Sequence, residues 1–229
     1  MPKKKGPSSK IFIAILAIIL LVIAAFAVLY ATYVPPAKAA TPGVHVGDTF
    51  TYNLKGVSQL GVDATTPDWL TPYNATDYYK VTITDVNGSV VSMTTDWAFK
   101  NGTVKTDPQT IDLSDGVLSN QYGFWVIYAS GLNKYDLLRP RANDGVYIND
   151  TSTRVYSNSS RISDYFILQN EFYDRTDPTL STYRNEYTSI SFDRETGMLD
   201  TLTNYQQYNN PQMNIIVTWK LIASSVWQV

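Results

Sequence analysis

Residues 184–222 decide the fold and read RNEYTSISFDRETGMLDTLTNYQQYNNPQMNIIVTWKLI. Two clusters of turn residues, at 194–197 and 209–211, divide this stretch into three segments that each alternate side chains with a period of two. Such alternation is typical of half-buried β-strands. Gly197 supplies the positive φ that a hairpin with a three- to five-residue loop requires. The stretch therefore predicts three consecutive antiparallel strands, the last of them central in a sheet.

The same pattern continues towards the N-terminus. Asp48-Thr-Phe-Thr-Tyr-Asn-Leu54 opens an aromatic strand, and two later alternating segments are joined by Asn87-Gly88. Asn101-Gly102 follows the second of them. Because Asn-Gly is the strongest short-range hairpin signal, residues 77–107 are predicted to form an antiparallel meander.

The middle of the chain is less regular. The apolar and aromatic residues of 117–129 fit either the spacing of a helix or the alternation of a strand. Gly123 would interrupt a helix, which favours a strand that follows a turn. Another strand is predicted at Tyr165 to Phe172. The expected fold class is all-β, mainly antiparallel, with nine to ten short strands and at most one or two short helices.

Residues 11–34 form an apolar stretch of 24 residues without a charge, Asn, Gln, Gly or Pro. As a helix it would be about 36 Å long, against roughly 30 Å of bilayer hydrocarbon. The lysines of the preceding MPKKK run are expected to stay in the cytoplasm. The sequence thus predicts a signal-anchor transmembrane helix with the C-terminal part outside the cell.

Two alternatives remain open for this N-terminus. Ala37-Lys38-Ala39 has the small-x-small pattern of a signal-peptidase site, although the apolar stretch is longer than a signal peptide needs. Lys5-Gly6 ahead of an apolar helix is similar to the leader of archaeal prepilins. All three interpretations place the same part of the chain outside the cytoplasm.

Four regions follow from these boundaries: a basic cytoplasmic tail at 1–10, the span at 11–34, a tether at 35–46 and a β domain at 47–229. Residues 1–40 carry five lysines and no acid, whereas 41–229 carry 13 basic and 20 acidic side chains. That balance excludes a nucleic-acid-coating protein. The absence of cysteine excludes disulfides, thiolate metal sites and thiol nucleophiles.

An extracellular location agrees with five N-glycosylation acceptor patterns. Two of them coincide with the hairpin signals, so turn chemistry alone accounts for part of the set. The candidate glycosylated residues are Asn74, Asn87, Asn101, Asn149 and Asn158.

The residues offer little chemistry for an enzyme. His45 is the only histidine and lies in the predicted tether, so neither a Ser-His-Asp triad nor a histidine zinc site can be assembled. Carboxylates in the two groups Asp174/Asp177 and Asp193/Glu195/Asp200 are the remaining option, as a glycosidase pair. Their turn context predicts solvated loop acids instead. We therefore expect a non-enzymatic protein with no catalytic residues, no metal site and no cofactor.

A resemblance emerges from four motifs: Val46-Gly-Asp48 before an aromatic strand, the Asn87-Gly88 hairpin, Asn149-Asp-Thr with Arg154-Val-Tyr, and Phe192-Asp-Arg-Glu-Thr-Gly-Met-Leu199. From Val46 onward the chain resembles archaeal membrane-anchored surface domains of unassigned function. The last motif is similar to a hairpin of the lipoprotein-carrier (Lol-type) fold. That resemblance implies a curved, half-barrel-like sheet whose concave side holds helices or an acyl chain. The predicted span and the lack of lid helices speak against a soluble shuttle.

Aromatic residues are the one compositional excess, with 17 Tyr, 8 Phe and 5 Trp. Most are expected to fill a core, and some are expected to line a pocket for a lipid chain. The apolar-ligand candidates are Phe50, Tyr52, Trp97, Phe99 and Trp219. The predicted function is a surface protein that binds or organises envelope components, with the membrane, a lipid or a cell-envelope glycan as partner. The alternative is a structural, glycan-binding, adhesive or pilin-like domain with a filled core.

Overall fold

The structure, a computed structural model, describes residues 9–32, 38–119, 125–156 and 159–229. The chain divides into two compact units, one before Lys38 and one from Lys38 to Val229. The first unit contains helix α1, Ser9–Thr32. In the part of the chain that the structure describes, no helix combines the length and the apolar character needed to cross a membrane. The span at 11–34 stays a prediction, and the prepilin-like Lys5-Gly6, Ala37 and Asn158 lie outside the described residues.

The second unit is one antiparallel sheet of nine strands in the described residues, which confirms the predicted all-β class. The strand bounds are β1 Thr49–Leu60, β2 Thr76–Asn87, β3 Val90–Phe99, β4 Val104–Asp112, β5 Asp150–Val155, β6 Ser160–Tyr173, β7 Tyr183–Asp193, β8 Leu199–Asn209 and β9 Gln212–Ser224. Between β1 and β2 lie a 3-10 turn, Asp68–Leu70, and the short helix α2, Thr71–Ala75.

The strand order is β4-β3-β2-β1-β9-β8-β7-β6-β5, so two meanders meet where β1 pairs with β9. Phe50 lies opposite Ser224 and Leu60 lies opposite Met213. Strands β4 and β5 are the two edges. The prediction that the last strand is central is confirmed.

The predicted hairpins form where Asn-Gly dipeptides supply positive φ. Gly88 (φ 60°) joins β2 to β3, and Gly102 (φ 85°) joins β3 to β4. Gly197 (φ 76°) joins β7 to β8, and a Cβ on it would lie 1.9 Å from the Tyr128 carbonyl oxygen. This hairpin therefore needs glycine both for its φ and for the close approach of the backbone at Tyr128.

The predicted strand within 117–129 is wrong for the residues that the structure describes there. Leu118 and Ile127 form only isolated bridges, with Ile111 and Met198 respectively. Residues 120–124 of that segment lie outside the described residues, and after them Val126, Ile127 and Tyr128 are buried in succession rather than alternately. Its described residues 126–129 pack into the core.

The core lies on one face of the sheet. Alternating residues of β1, β2, β3 and β9 are buried on this face. Residues from the segment 125–149 belong to the same core. The compact unit begins at Lys38, earlier than the predicted boundary at residue 47. Val44 is buried and the Thr41 carbonyl accepts the Ser130 N–H, so this part of the predicted tether packs on the domain.

Candidate functional site

A cleft of about 420 Å³ lies on the inner face of β7, β8 and β9, and we call it the inner cleft. Its lining comprises Trp69, Tyr73, Leu118, Trp125, Val126, Tyr128, Leu168, Glu186, Thr188, Ile190, Leu199, Leu202, Asn204, Gln206, Val217 and Trp219. Most of these side chains are apolar or aromatic. This size and lining are those of small-molecule sites, which are mainly apolar with a few polar groups.

Three registered rows of side chains form the floor. The row Ile190–Leu202–Trp219 is apolar, and the next row towards the β8–β9 turn carries Thr188 and Asn204. A third row pairs Glu186 with Gln206. Inward-facing positions repeat every second residue along a strand, so these three rows are consecutive. The floor therefore changes from apolar to polar over consecutive rows.

One wall comes from the excursion between β1 and β2. Trp69 and Tyr73 stand edge to face, with ring centroids 6.2 Å apart. Gly56 of β1 lets this excursion approach the sheet, because a Cβ there would lie 2.4 Å from Leu70 Cδ1. The Gly56 N–H also donates to the Asn74 side chain at 3.0 Å. Burial raises the pKa of Tyr73, so its phenol stays protonated at neutral pH.

The opposite wall is formed by the segment that contains Trp125 and Tyr128. Tyr128 packs against Phe192, with centroids 4.8 Å apart, and its hydroxyl donates to the Trp125 carbonyl at 3.0 Å. Burial raises the pKa of Tyr128 well above its ordinary value. The indole Nε1 of Trp125 is buried and has no hydrogen-bond partner among the described residues.

A chain of hydrogen bonds occupies the polar end of the floor. Asn204 Nδ2 donates to Glu186 Oε1 at 2.8 Å and to Thr188 Oγ1 at 2.7 Å. Gln206 Nε2 donates to Asn204 Oδ1 at 2.7 Å, and the Tyr208 hydroxyl donates to Gln206 Oε1 at 2.8 Å. These bonds fix the amide orientations, so the polar end presents a preorganised surface.

A second constellation, the charged cluster, lies at the other end of β6, β7 and β8. It is formed by Asp164, Asp193 and Asp200 with Arg161 and Arg194, and all three carboxylates are fully buried. Arg161 donates to both oxygens of Asp193, at 2.7 and 2.9 Å. Arg194 holds Asp164 in the same way, with its shortest contact at 2.6 Å.

Asp200 has weaker compensation. The hydroxyls of Ser163 and Tyr156 donate to it, and Arg154 Nε approaches only to 4.0 Å. Desolvation raises the pKa of Asp200, and desolvation also raises that of Asp164 despite its arginine. The expectation that Asp193 and Asp200 are solvated loop acids is wrong, because Asp193 lies in β7 and Asp200 in β8 and both are fully buried.

Of the other three acids of the glycosidase hypothesis, Glu195 is exposed, and Asp174 and Asp177 are turn acceptors. Asp177 accepts hydrogen bonds from Thr179, Ser181 and Thr182, and the Thr179 hydroxyl and N–H hold its pKa far below the usual range. Asp174 accepts from the N–H and hydroxyl of Thr176. Among the lining residues described for the inner cleft, Glu186 is the only carboxylate.

Of the five predicted ligand residues, Trp219 alone is among the described lining of the inner cleft, and its ring packs on that of Tyr52 with centroids 6.2 Å apart. Phe50 and Tyr52 are completely buried in the core. Phe50 packs on Trp227 at 5.7 Å. Trp97 and Phe99 stack on each other at 5.1 Å on β3.

The predicted glycosylation residues differ in exposure. Asn87 and Asn101 are exposed in their hairpin loops, and Asn74 is exposed although its Oδ1 accepts from Gly56. Asn149 is half-buried and accepts the Ile167 N–H at 2.8 Å. His45 is exposed as predicted, with 89% of its side chain accessible.

No protein-family model and no curated protein matches this chain. The described residues include no group of three or more His, Asp or Glu side chains arranged to hold a metal ion. The inner cleft is thus characterised by its own geometry, which is that of a preformed apolar site with one polar end.

Proposed function

We propose that the β domain is a non-enzymatic binding domain for a ligand with an apolar chain, held in the inner cleft. The observation that carries this proposal is the volume of about 420 Å³ over an apolar floor. It lies within the range of roughly 300 to 1,000 Å³ found for ligand pockets.

The driving force for this binding is burial of the ligand's methylenes. Each buried CH₂ contributes roughly 0.8 kcal/mol, so a chain of a dozen would contribute about 10 kcal/mol before the cost of association. The aromatic walls at Trp69 and Trp125 add contact area at low entropic cost. A single lipid chain suits this arrangement.

The cellular setting of the proposal comes from the sequence. Residues 11–34 anchor the chain in the membrane, the lysine-rich tail remains in the cytoplasm, and the β domain lies outside the cell. The architecture is a curved, half-barrel-like sheet of the lipoprotein-carrier kind. A tethered domain of this type binds a lipid or organises envelope components beside its own membrane, and it does not travel as a soluble carrier.

A cleft-filling variant tests the binding. Leu202→Trp places an indole on the apolar floor, whereas Thr203→Trp places the same side chain on the outer face of the same strand. The full chain, purified from its own membranes into a detergent-free amphipathic polymer, is titrated with an uncharged fluorescent acyl-chain probe. We expect Leu202→Trp to weaken binding at least tenfold and Thr203→Trp to leave it unchanged.

Three results would contradict these proposals. If a folded Leu202→Trp variant binds the probe as tightly as the wild-type chain does, the proposed site is refuted. If circular dichroism shows that this variant is unfolded, the Leu202→Phe variant is tested instead. Recovery of the chain outside the membrane pellet refutes the anchor. Resistance of the domain to protease added to intact cells, with digestion after lysis, refutes the orientation.

A further inference from the structure

The polar end of the inner cleft distinguishes between classes of ligand. We infer that the ligand carries an uncharged head with hydroxyl or carbonyl oxygens, and that Thr188 and Gln206 are the residues that recognise it. This inference rests on the proposed function, since it assigns the head of a ligand whose chain lies on the apolar floor.

The first argument is charge balance. Glu186 is the only charged side chain among the described lining residues, and its Oε2 lies 3.2 Å from Arg184 Nη2. Arg184 in turn lies over the rings of Phe172 and Tyr208, at 4.5 and 5.6 Å. The pair is neutral as a whole. An ionised ligand head would therefore lose its hydration without gaining an opposite charge, which is costly.

The other cation near the cleft is also compensated. The Arg139 guanidinium stacks on the Trp125 ring at 4.3 Å, but it is held by Asp144 at 2.7 Å. Tyr73 and Tyr128 stay neutral because burial disfavours their phenolates. No net charge of either sign thus remains at the described walls to attract an ionic head.

The second argument is the hydrogen-bonding capacity that the network leaves. Thr188 Oγ1 accepts from Asn204, so its own hydroxyl hydrogen remains to be donated. Gln206 Nε2 uses one hydrogen on Asn204 and keeps the second. Two neutral donors in neighbouring rows of the floor match two oxygens of a glycerol ester or a similar polyol head.

The experiment compares three ligands that share one chain and differ only in the head. The detergent-free full chain is titrated with monomyristin, with myristate and with myristyltrimethylammonium, each displacing the same fluorescent probe. We expect monomyristin to bind at least about tenfold more tightly than either ion. Comparable or tighter binding of an ion overturns the inference while the proposed function stands. Failure of all three to bind refutes the proposed function itself.

A matched pair of variants tests the residue assignment. Gln206→Leu removes a donor of the floor, whereas Gln207→Leu changes the exposed neighbour on the same strand. We expect Gln206→Leu to weaken monomyristin binding about fivefold to tenfold and to leave myristate binding unchanged. Equal affinity of the two folded variants for monomyristin would overturn the role of Gln206. Thr188→Val provides the same comparison if Gln206→Leu does not fold.

Discussion

The inner cleft and the charged cluster share strands β7 and β8, yet their polar groups are hydrogen-bonded to different extents. In the charged cluster, Asp193 and Asp164 each meet an arginine that donates to both carboxylate oxygens. In the cleft, Thr188 and Gln206 each keep a hydrogen-bond donor that the network of the floor does not use. Polar groups whose hydrogen bonds are all made within the protein stabilise the fold. Polar groups that keep an unused donor next to a cavity are suited to binding a ligand.

The largest expected effect is on the charged cluster. Asp193→Ala leaves Arg161 without its main partner and removes the acceptor of the Thr196 N–H and hydroxyl. Breaking a buried pair in this way should lower the free energy of unfolding by about 3 to 5 kcal/mol. Denaturant titration of the full chain measures the loss.

Glu195→Ala is the control for that variant, because Glu195 contacts the same Arg161 but its side chain is 77% exposed. Its cost should stay below about 0.5 kcal/mol. Equal losses for the two variants would contradict the distinction between a buried structural pair and a surface pair.

An intermediate effect is expected where the two regions touch. Gly197→Ala forces a Cβ against the Tyr128 carbonyl and strains a positive φ, which should cost at least about 2 kcal/mol. Because Tyr128 belongs to the cleft wall, probe binding should weaken as well. Gly88→Ala is the control, since it has a positive φ and no atom within 4 Å of the added Cβ. If Gly197→Ala lowers the free energy of unfolding no more than Gly88→Ala does, the backbone at Tyr128 moves to accommodate the added Cβ.

The smallest effect is a pH dependence at Asp200. Its pKa is raised by desolvation, so the folded state binds the proton more tightly than the unfolded state does. Stability associated with the protonated acid is present at low pH and is lost as the pH rises through the raised pKa. Relative to Asp200→Asn, the wild-type chain should become progressively less stable as the pH rises above about 4, the ordinary pKa of an aspartate.

Asp177→Asn gives the opposite sign and serves as the comparison. Hydrogen bonds led by those from Thr179 lower the pKa of Asp177, so its contribution is present above its ordinary pKa of about 4 and is lost as the pH falls further. Unfolding midpoints across the pH range measure both differences. A wild-type curve parallel to that of Asp200→Asn would contradict the penalty for burying Asp200.

Local signals in the sequence are sufficient to predict much of the sheet, but they predict little of the cleft. Asn87-Gly88 and Gly197 predict hairpins because turn geometry depends on neighbouring residues alone. The inner face of β8 gives no such signal, because Leu202, Asn204 and Gln206 lack a continuous apolar pattern and leave the buried face ambiguous. The pairing with β7 and β9 determines which face turns inward.

The walls and the charged cluster depend even more on distant contacts. Trp69 and Trp125 come from segments outside the sheet, and only packing onto β1 and β7 to β9 brings them to one cleft. Asp193 and Asp200 have the sequence context of exposed turn acids, but Arg161, on a strand 32 residues earlier than Asp193, compensates the first. Burial of this kind follows from the tertiary pairing and not from the turn.

The two edge strands explain why an open sheet of this size stops growing. Pro108, within β4, has no N–H to offer a further strand, and Lys105 and Asp107 place charges beside it. Strand β5 is only six residues long and contains Asp150 and Arg154. Both features oppose edge-to-edge addition of another chain. The domain can thus keep an unclosed sheet, with its cleft accessible, without becoming a template for fibrils.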